Sequence, residues 1–533
     1  MNAFYHSSPI SYVEAVVQET KKAVISYVFS KSALITPGAA EILSSTPDFR
    51  SIVDEALSRG HFFITEDIVK SILAEREEKE EAETSESIPL QERTEVGEKE
   101  VIVLKTRFKP IAKEYEANIR FFEEYDVTGK SYCEGTVDDF IRYFRDRFER
   151  LRSILRKRPN TDIRPISRLD RVSTGQEIHV IGMVYDVRES KKGHLILEIE
   201  DEEERTTLVV PKDSEIRRKA KYILPDDVLL FKVVRTSGGL YVVRDFFWPD
   251  VEEHTPHYAD VDLAVAITSD WHVGSRLFIE KALKKFIDWL HGRVGNERLK
   301  ELAGKVKYVI VNGDVVDGVG VYPSQIDELV IKDIEKQYEA AAQYIAEMPD
   351  WVEVLVNPGN HDAVRRLEPQ PALSKEVAYA LYELDNVHML GSPTYYALER
   401  VEFLVYHGTS MDEVISRVPG LDYAEPEKAL EEFLRRRHLV PTYGVKQPIV
   451  PERRDYMLIE RVPDVFACGH VHKNGYRKYK GVRLVVSGTF QEQTPFQLEM
   501  GHIPTPGVIP ILTLSDLAIH QLKVYNGGNN GTR

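Results

Sequence analysis

The chain of 533 residues is too long for one hydrophobic core, so roughly two to four domains are expected, and its 42% hydrophobic and 29% charged residues suit a soluble globular protein. With 70 Lys and Arg against 86 Asp and Glu, the net charge of -16 argues against a protein that coats nucleic acid by itself. No apolar run approaches the roughly 20 residues that cross a bilayer, the start MNAFYHSSPISYVEAVVQET lacks the regions of a secretory signal, and Cys133 and Cys468 supply neither a disulfide framework nor a zinc cluster, so the expectation is a reducing, intracellular setting with no membrane partner.

In chain order, residues 1–73 show helical apolar spacing in SYVEAVVQETKKAVISYVFS, DFRSIVDEALSRG and TEDIVKSILAE, with Asp48 and Thr65 as N-caps, and predict a small helical N-terminal domain. Residues 74–100 are densely acidic and without aromatics, and predict a flexible linker. Residues 101–260 open with the strand-like VIVLKTRF, followed by a helix in TVDDFIRYFRDRFERLRSILRKR with Phe140, Tyr143, Phe144, Phe148, Leu151 and Leu155 on or near one face. The helix arginines fit either a solvated side or a nucleic-acid contact. From about 174 to 248 the period changes to two, in the order of three strands, a short helix and two strands, which is that of an OB-fold β-barrel. Tyr185, Tyr241, Phe246 and Phe247 then form a candidate stacking platform for single strands, with protein packing alone as the alternative.

From 261 onward, apolar strands (VDLAVAIT, VKYVIV, VEVLV) alternate with amphipathic helices. Strands lacking polar alternation need cover on both faces, so 261–520 reads as a layered α/β domain within a multidomain α/β chain, with a flexible tail at 521–533. Each buried strand runs into a polar cluster: Asp270 and His272 in ITSDWHVGS, Asp314 and Asp317 in IVNGDVVDG, Asn360, His361 and Asp362 in VNPGNHDA, His407 in VEFLVYHGT, and His470 and His472 in DVFACGHVH. Ligands of layered α/β folds bind beyond the carboxyl ends of the strands, so these clusters are expected to converge.

The residue types suit two divalent cations about 3.5 to 4 Å apart, which need one bridging carboxylate and a surround of imidazoles and single oxygens. Asp314 is the bridging candidate, with Asp270, His272 and His472 on one cation and Asn360, His407 and His470 on the other. The glycines before Asp314, Asn360 and His470 are expected to let the backbone turn sharply. His361 ligates neither cation in this scheme; it would stabilise charge or protonate a leaving oxygen, with Asp362 orienting its ring. Arg435, Arg436 and Arg437 follow a helix and would hold a phosphate backbone or merely answer the helix dipole; Tyr322 would stack on a terminal base or simply pack. Cys468 is expected to complete an apolar strand.

The ordered set Asp-x-His, Gly-Asp-x-x-Asp, Gly-Asn-His-Asp, His-Gly and Gly-His-x-His resembles the calcineurin-like metallophosphoesterase superfamily over roughly residues 261–500. Within it, SDWHVGS (269–275), NGDVVDGVGVYP (312–323), RRRHLVPTYG (435–444), CGHVH (468–472) and PTPGVIP (504–510), together with the layout before them, resemble the small subunits of archaeal family D DNA polymerases. The resemblance implies a 3′-5′ proofreading exonuclease that uses two divalent cations, manganese first and magnesium, zinc or iron(II) as alternatives. It implies as partners a large polymerase subunit, single-stranded or frayed 3′ DNA ends, and a sliding clamp or primase, all in the nucleoid of the cytoplasm. A phosphomonoesterase or phosphoprotein phosphatase would use the same cations, and a non-catalytic polymerase scaffold would keep the layout without turnover.

Overall fold

A computed structural model describes residues 108–526 and most of 24–73, in two compact units divided after Leu104. In the first unit, helices α1 (Pro37–Ser44) and α2 (Phe49–Ser58) and the parallel two-residue strands β1 (Leu34–Ile35) and β2 (Phe63–Ile64) enclose a core that includes Leu43, Ile52, Val53, Ile64 and Val69. The helical expectation holds for the described residues there. The Asp48 cap, the acidic linker and the strand over 101–107 lie outside them.

The second unit contains β3 (Ile119–Phe121) and helix α3 (Val137–Leu155), which starts at a capping box in which Thr136 accepts from the Asp139 N–H and Asp139 from the Thr136 N–H. Tyr143, Phe148, Leu151 and Leu155 form its buried face, as their spacing predicts. Strands β4 (Glu177–Glu189), β5 (Leu195–Glu200), β6 (Arg205–Val210), β7 (Val228–Arg235) and β8 (Tyr241–Phe247) then close into a barrel in the order β4-β5-β6-β8-β7. β6 and β8 are parallel, and the turn of helix α4 (Arg217–Ala220) lies between β6 and β7. Two residues of the expected stacking platform are lost to the core of this barrel: Phe246 is fully buried, and Tyr241 is buried with its hydroxyl donating to the Leu169 carbonyl. A bulge explains it. The β7–β8 register skips a residue between Val243 and Asp245, so inward parity passes from Tyr241 and Val243 to Phe246 and leaves Phe247 outside.

Beyond the barrel, two six-stranded sheets stack face to face. The first has the order β12-β11-β10-β9-β18-β19, from β9 (Ala264–Thr268), β10 (Val306–Asn312), β11 (Glu353–Asn357), β12 (Val387–Met389), β18 (Val508–Thr513) and β19 (Ile519–Lys523). The second has the order β16-β17-β15-β14-β13-β3, from β13 (Thr394–Leu398), β14 (Val401–Val405), β15 (Val465–Cys468), β16 (Gly475–Tyr479), β17 (Val482–Val486) and β3. Ile267, Ile310 and Leu355 of the first sheet meet Phe403, Val405 and Ala467 of the second. Helices α5 (Glu280–Leu290), α6 (Glu297–Lys305) and α7 (Ile334–Ala346) cover the outer face of the first sheet, while α8 (Met411–Arg417) and α9 (Glu427–Arg436) cover the second. The four layers give the apolar strands the double cover that their sequences require.

Two expected boundaries move. β3 pairs antiparallel with β13, so residues 119–121 belong to the two-sheet sandwich and not to the barrel region expected over 101–260. Residues 521–523 complete β19, and Leu522 and Val524 are buried, so the chain is still part of the sheet where a tail was expected. Their alternation is visible only once β18 supplies the partner. Among the described residues no helix is long and apolar enough to cross a membrane.

Candidate metal centre

The five clusters do converge. β9, β10, β11, β14 and β15 each end within a few residues of one of them, at the same edge of the sandwich. The local backbone is bent to suit: Asp270, His272, Asp314, His470 and His472 all have positive φ, between 49° and 67°. Non-glycine residues enter that left-handed region at a cost of about 1 kcal/mol or more each, and such strain collects where side-chain aim matters more than local comfort. Gly313 also has positive φ, as expected, but Gly359 and Gly469 do not. Their role is room: a Cβ on Gly359 would strike Asp314, and one on Gly469 would strike Ser269 and Asp270.

Asp270 Oδ1 stands 3.4 Å from His472 Nε2 and 3.9 Å from His272 Nε2. The two imidazole nitrogens face one another at 3.0 Å. On the other side, Asn360 Oδ1 lies 3.1 Å from His407 Nε2 and 3.0 Å from His470 Nδ1. Asp314 sits between the halves, its Oδ2 3.8 Å from His272 Nε2 and 3.4 Å from His407 Nε2, while its Oδ1 accepts from the His361 N–H at 2.8 Å. All seven expected ligands are thus brought together.

The residues fit a pair of cations. Asp270 Oδ1 is buried and accepts no hydrogen bond, although its companion oxygen takes the His470 N–H at 2.9 Å. Nitrogens and carboxylate oxygens converge within 4.8 Å in the sets Asp270–His272–His472 and Asp314–His407–His470. Burial alone would push the Asp314 carboxyl up, but His407, His361 and His272 outweigh it and hold it well below the usual range. Burial works to lower His272 and His407, yet the surrounding carboxylates raise them to about 9 and about 10. The buried carboxylates thus call for positive charge at both halves, which a cation at each would supply.

Second contacts fix the rings. His272 Nδ1 is 3.0 Å from Asp317 Oδ1, His407 Nδ1 is 2.9 Å from the Asn312 carbonyl, and His470 Nε2 is 3.3 Å from Asp412 Oδ2. Asp317 is the second carboxylate of the Gly-Asp-x-x-Asp cluster, visible in the sequence without an assigned task. Asp412, on α8, gives no sequence signal.

His361 lies against His272, ring centroids 4.7 Å apart, and burial lowers its pKa. Its Nδ1 is 2.8 Å from the Asp317 carbonyl. Asp362, expected to orient that ring, does not. Its carboxylate accepts from the N–H groups of Val315, Val316 and Gly359 and from the Tyr338 hydroxyl, and so it ties the β10 and β11 loops together. Burial, with the charge of Asp314, pushes Asp362 up to about 7. Tyr322 is exposed beside the centre, its ring 6.2 Å from that of His361 and its hydroxyl donating to Glu328.

The three arginines expected to grip phosphate separate. Arg436 is buried and pairs with Glu432 and, at 3.0 Å, with Asp227 of the barrel; Arg437 is buried and donates to the carbonyls of Ile459 and Glu460. Neither is available to a ligand. Arg435 alone stays partly exposed, beside Trp248.

A two-sheet sandwich with this Asp, His and Asn cluster at one edge defines a calcineurin-like phosphoesterase domain, and residues 263–474 match the family of that description. Over 416 residues the chain is 40% identical to the DNA polymerase II small subunit of Methanocaldococcus jannaschii, covering 77% of this chain and 69% of that one. The same subunit of Archaeoglobus fulgidus is 43% identical over 72% of this chain and 77% of its own, and that of Pyrococcus horikoshii is 39% identical over 78% and 68%. The chain belongs to the family of archaeal DNA polymerase II small subunits.

Proposed function

We propose that the chain is a metal-dependent 3′-5′ DNA exonuclease that works as the small subunit of a replicative polymerase, beside a large subunit that synthesises DNA. The observation that carries the reading is the placement of Asp314 Oδ2 between His272 and His407, with the unassigned imidazole of His361 within 4.8 Å of the same carboxylate. The subunit names of the relatives support the assembly. The five-stranded barrel reads as an OB-fold, supported by its strand order, its parallel β6–β8 closure and the helix between its third and fourth strands.

In this reading Asp270, His272 and His472 would hold one cation and Asn360, His407 and His470 the other, with Asp314 placed to serve both. When bound, such a pair, manganese first, lowers the pKa of water and neutralises charge on a phosphodiester in flight. The chain's own residues do the rest. Asp317, Asn312 and Asp412 keep the imidazoles aimed. His361 spends Nδ1 on the Asp317 carbonyl, which leaves Nε2 to carry a proton to the departing 3′-oxygen. Burial lowers the His361 pKa, and the negative charge of a phosphate beside it would act in the opposite direction. Tyr322, exposed next to it, would face the terminal base.

The test is digestion of a 5′-labelled single strand with a mismatched 3′ end, with and without manganese, beside a small chromogenic phosphomonoester. A ladder of shortened products that needs manganese is expected. Turnover of the monoester alone would select a phosphatase, and turnover of neither, with or without the large subunit, would leave a scaffold.

A further inference from the structure

Where the barrel meets the phosphoesterase sandwich there is a second place of concentrated charge, a cleft of about 640 Å³. Arg158, just beyond α3, faces it together with Arg218, Lys219 and Lys221 from the α4 segment and Arg435 of α9. Asp250 is the one carboxylate on its wall, and the Tyr479 hydroxyl and Lys480 already engage it. Five cations against one neutralised carboxylate stand out in a chain whose net charge is -16. Lys219 and Arg435 have acidic partners in Asp245 and Glu432. Arg158, Arg218 and Lys221 are exposed and have no ion pair among the described residues.

These cations are not loose. The Arg158 guanidinium lies 4.5 Å and the Lys219 ammonium 4.9 Å from the centre of the Phe247 ring. Lys221 lies 5.0 Å from the Tyr222 ring and Arg435 5.7 Å from that of Trp248. A guanidinium held on an aromatic face is partly desolvated and keeps its N–H edge free for a partner in the plane.

We propose that this cleft binds the phosphate backbone of a single-stranded nucleic acid, apart from the metal centre. Three guanidiniums suit phosphate oxygens, which they can meet with paired N–H donors. The rings beside them suit the alternation of charged backbone and flat base, which an acidic peptide lacks. With a net charge of -16 the chain repels a polyanion overall, so a local concentration of unpaired cations is where one would settle. Its walls draw on the α4 segment, β8 and α9 and include no residue of β5 or β6, the face on which barrels of this topology hold single strands. It deepens the proposed function by giving the DNA a second hold, and rests on that reading only for the choice of DNA as the polyanion.

The test is anisotropy of a 5′-fluorescein oligothymidylate with the full chain in EDTA, over a series of salt concentrations. Combining Arg158→Ala, Arg218→Ala and Lys221→Ala is expected to weaken binding at least about tenfold and to flatten the slope of log affinity against log salt by about 2, at roughly 0.7 for each phosphate no longer neutralised. Lys221 is exposed, so the Lys221→Ala and Lys221→Glu variants keep the fold, and binding should fall in the order Lys, Ala, Glu. Unchanged affinity and slope in the combined variant, or no salt-sensitive binding by the unaltered protein, would overturn the assignment. So would polyglutamate displacing the label as well as unlabelled oligothymidylate does. EDTA separates this result from hydrolysis, so the exonuclease reading and the cleft can fail independently.

Discussion

Two buried polar constellations in the second unit use the same residue types to opposite ends. At the metal centre, imidazoles face imidazoles, a carboxylate oxygen is left without a partner, and five residues hold left-handed backbone. Between α3 and the segment after α9, Asp455 accepts from Arg147 Nε at 2.9 Å, the Tyr143 hydroxyl at 2.7 Å and the Met457 N–H at 3.0 Å, and lies 2.8 Å from His438 Nε2. Burial would raise the Asp455 carboxyl, but His438 and Arg147 hold it far below its usual range. The second constellation is closed by its own charges; the first leaves a buried carboxylate oxygen unpaired and imidazole nitrogens facing one another. That difference, and not burial or the presence of His and Asp, separates a structural network from a site.

The sharpest way to break the comparison is to cross it. Arg147→Ala leaves the buried Asp455 charge uncompensated and is expected to lower the free energy of unfolding by about 3–5 kcal/mol in a urea titration. Asp314→Ala is expected to remove hydrolysis and cation uptake together, while changing the unfolding of EDTA-treated protein less than Arg147→Ala does. Manganese should raise the melting temperature of the unaltered protein and leave that of Asp314→Ala where it was. If manganese stabilises both alike, Asp314 does not hold it. His361→Ala comes next: a loss of about 10²–10⁴-fold in strand digestion with manganese uptake retained in a calorimetric titration. Loss of uptake in that variant would make His361 a ligand. Asp412→Asn keeps the shape and weakens the hold on His470, so cation affinity should fall by about 10–100-fold.

The same contrast marks what the sequence could tell. The seven ligand candidates were legible because each sits just past an apolar strand, and the parallel order of those strands puts their ends at one edge. Arg436 and Arg437 were not, because a basic run at a helix end looks the same whether its partners are in solvent or, like Asp227, arrive from a turn more than 200 residues earlier. Arg147 hides its partner Asp455 in the same way. The barrel order was plain from alternation, yet the facing of Phe246 and Phe247 was not, since one bulged residue inverts the parity. Asp362 misled for a related reason: adjacency to His361 in sequence suggested a ring partner, whereas the turn sends its carboxylate back to three backbone N–H groups.

The closed network also makes a prediction in pH. Val440 N–H donates to His438 Nδ1 at 3.0 Å, so Nε2 carries the proton that faces Asp455 and the ring is fully satisfied while neutral. Burial, aided by Arg147, lowers its pKa from 6.5 to about 4. The unfolded chain therefore binds a proton near pH 6.5 that the folded chain refuses until about pH 4. Stability falls with acid across that window, by about 1.4 kcal/mol per pH unit at most, and His438 adds nothing further below it. Asp455, with its pKa depressed, acts later: its contribution is intact above its ordinary value of 3.8 and is lost only as pH drops below that. In His438→Gln the fall between pH 6.5 and 4 should flatten while the fall below 3.8 persists, read from urea midpoints across the series. An unchanged slope between pH 6.5 and 4 in that variant would mean that His438 is already charged in the folded protein, and the network would then not be the one that closes around a neutral ring.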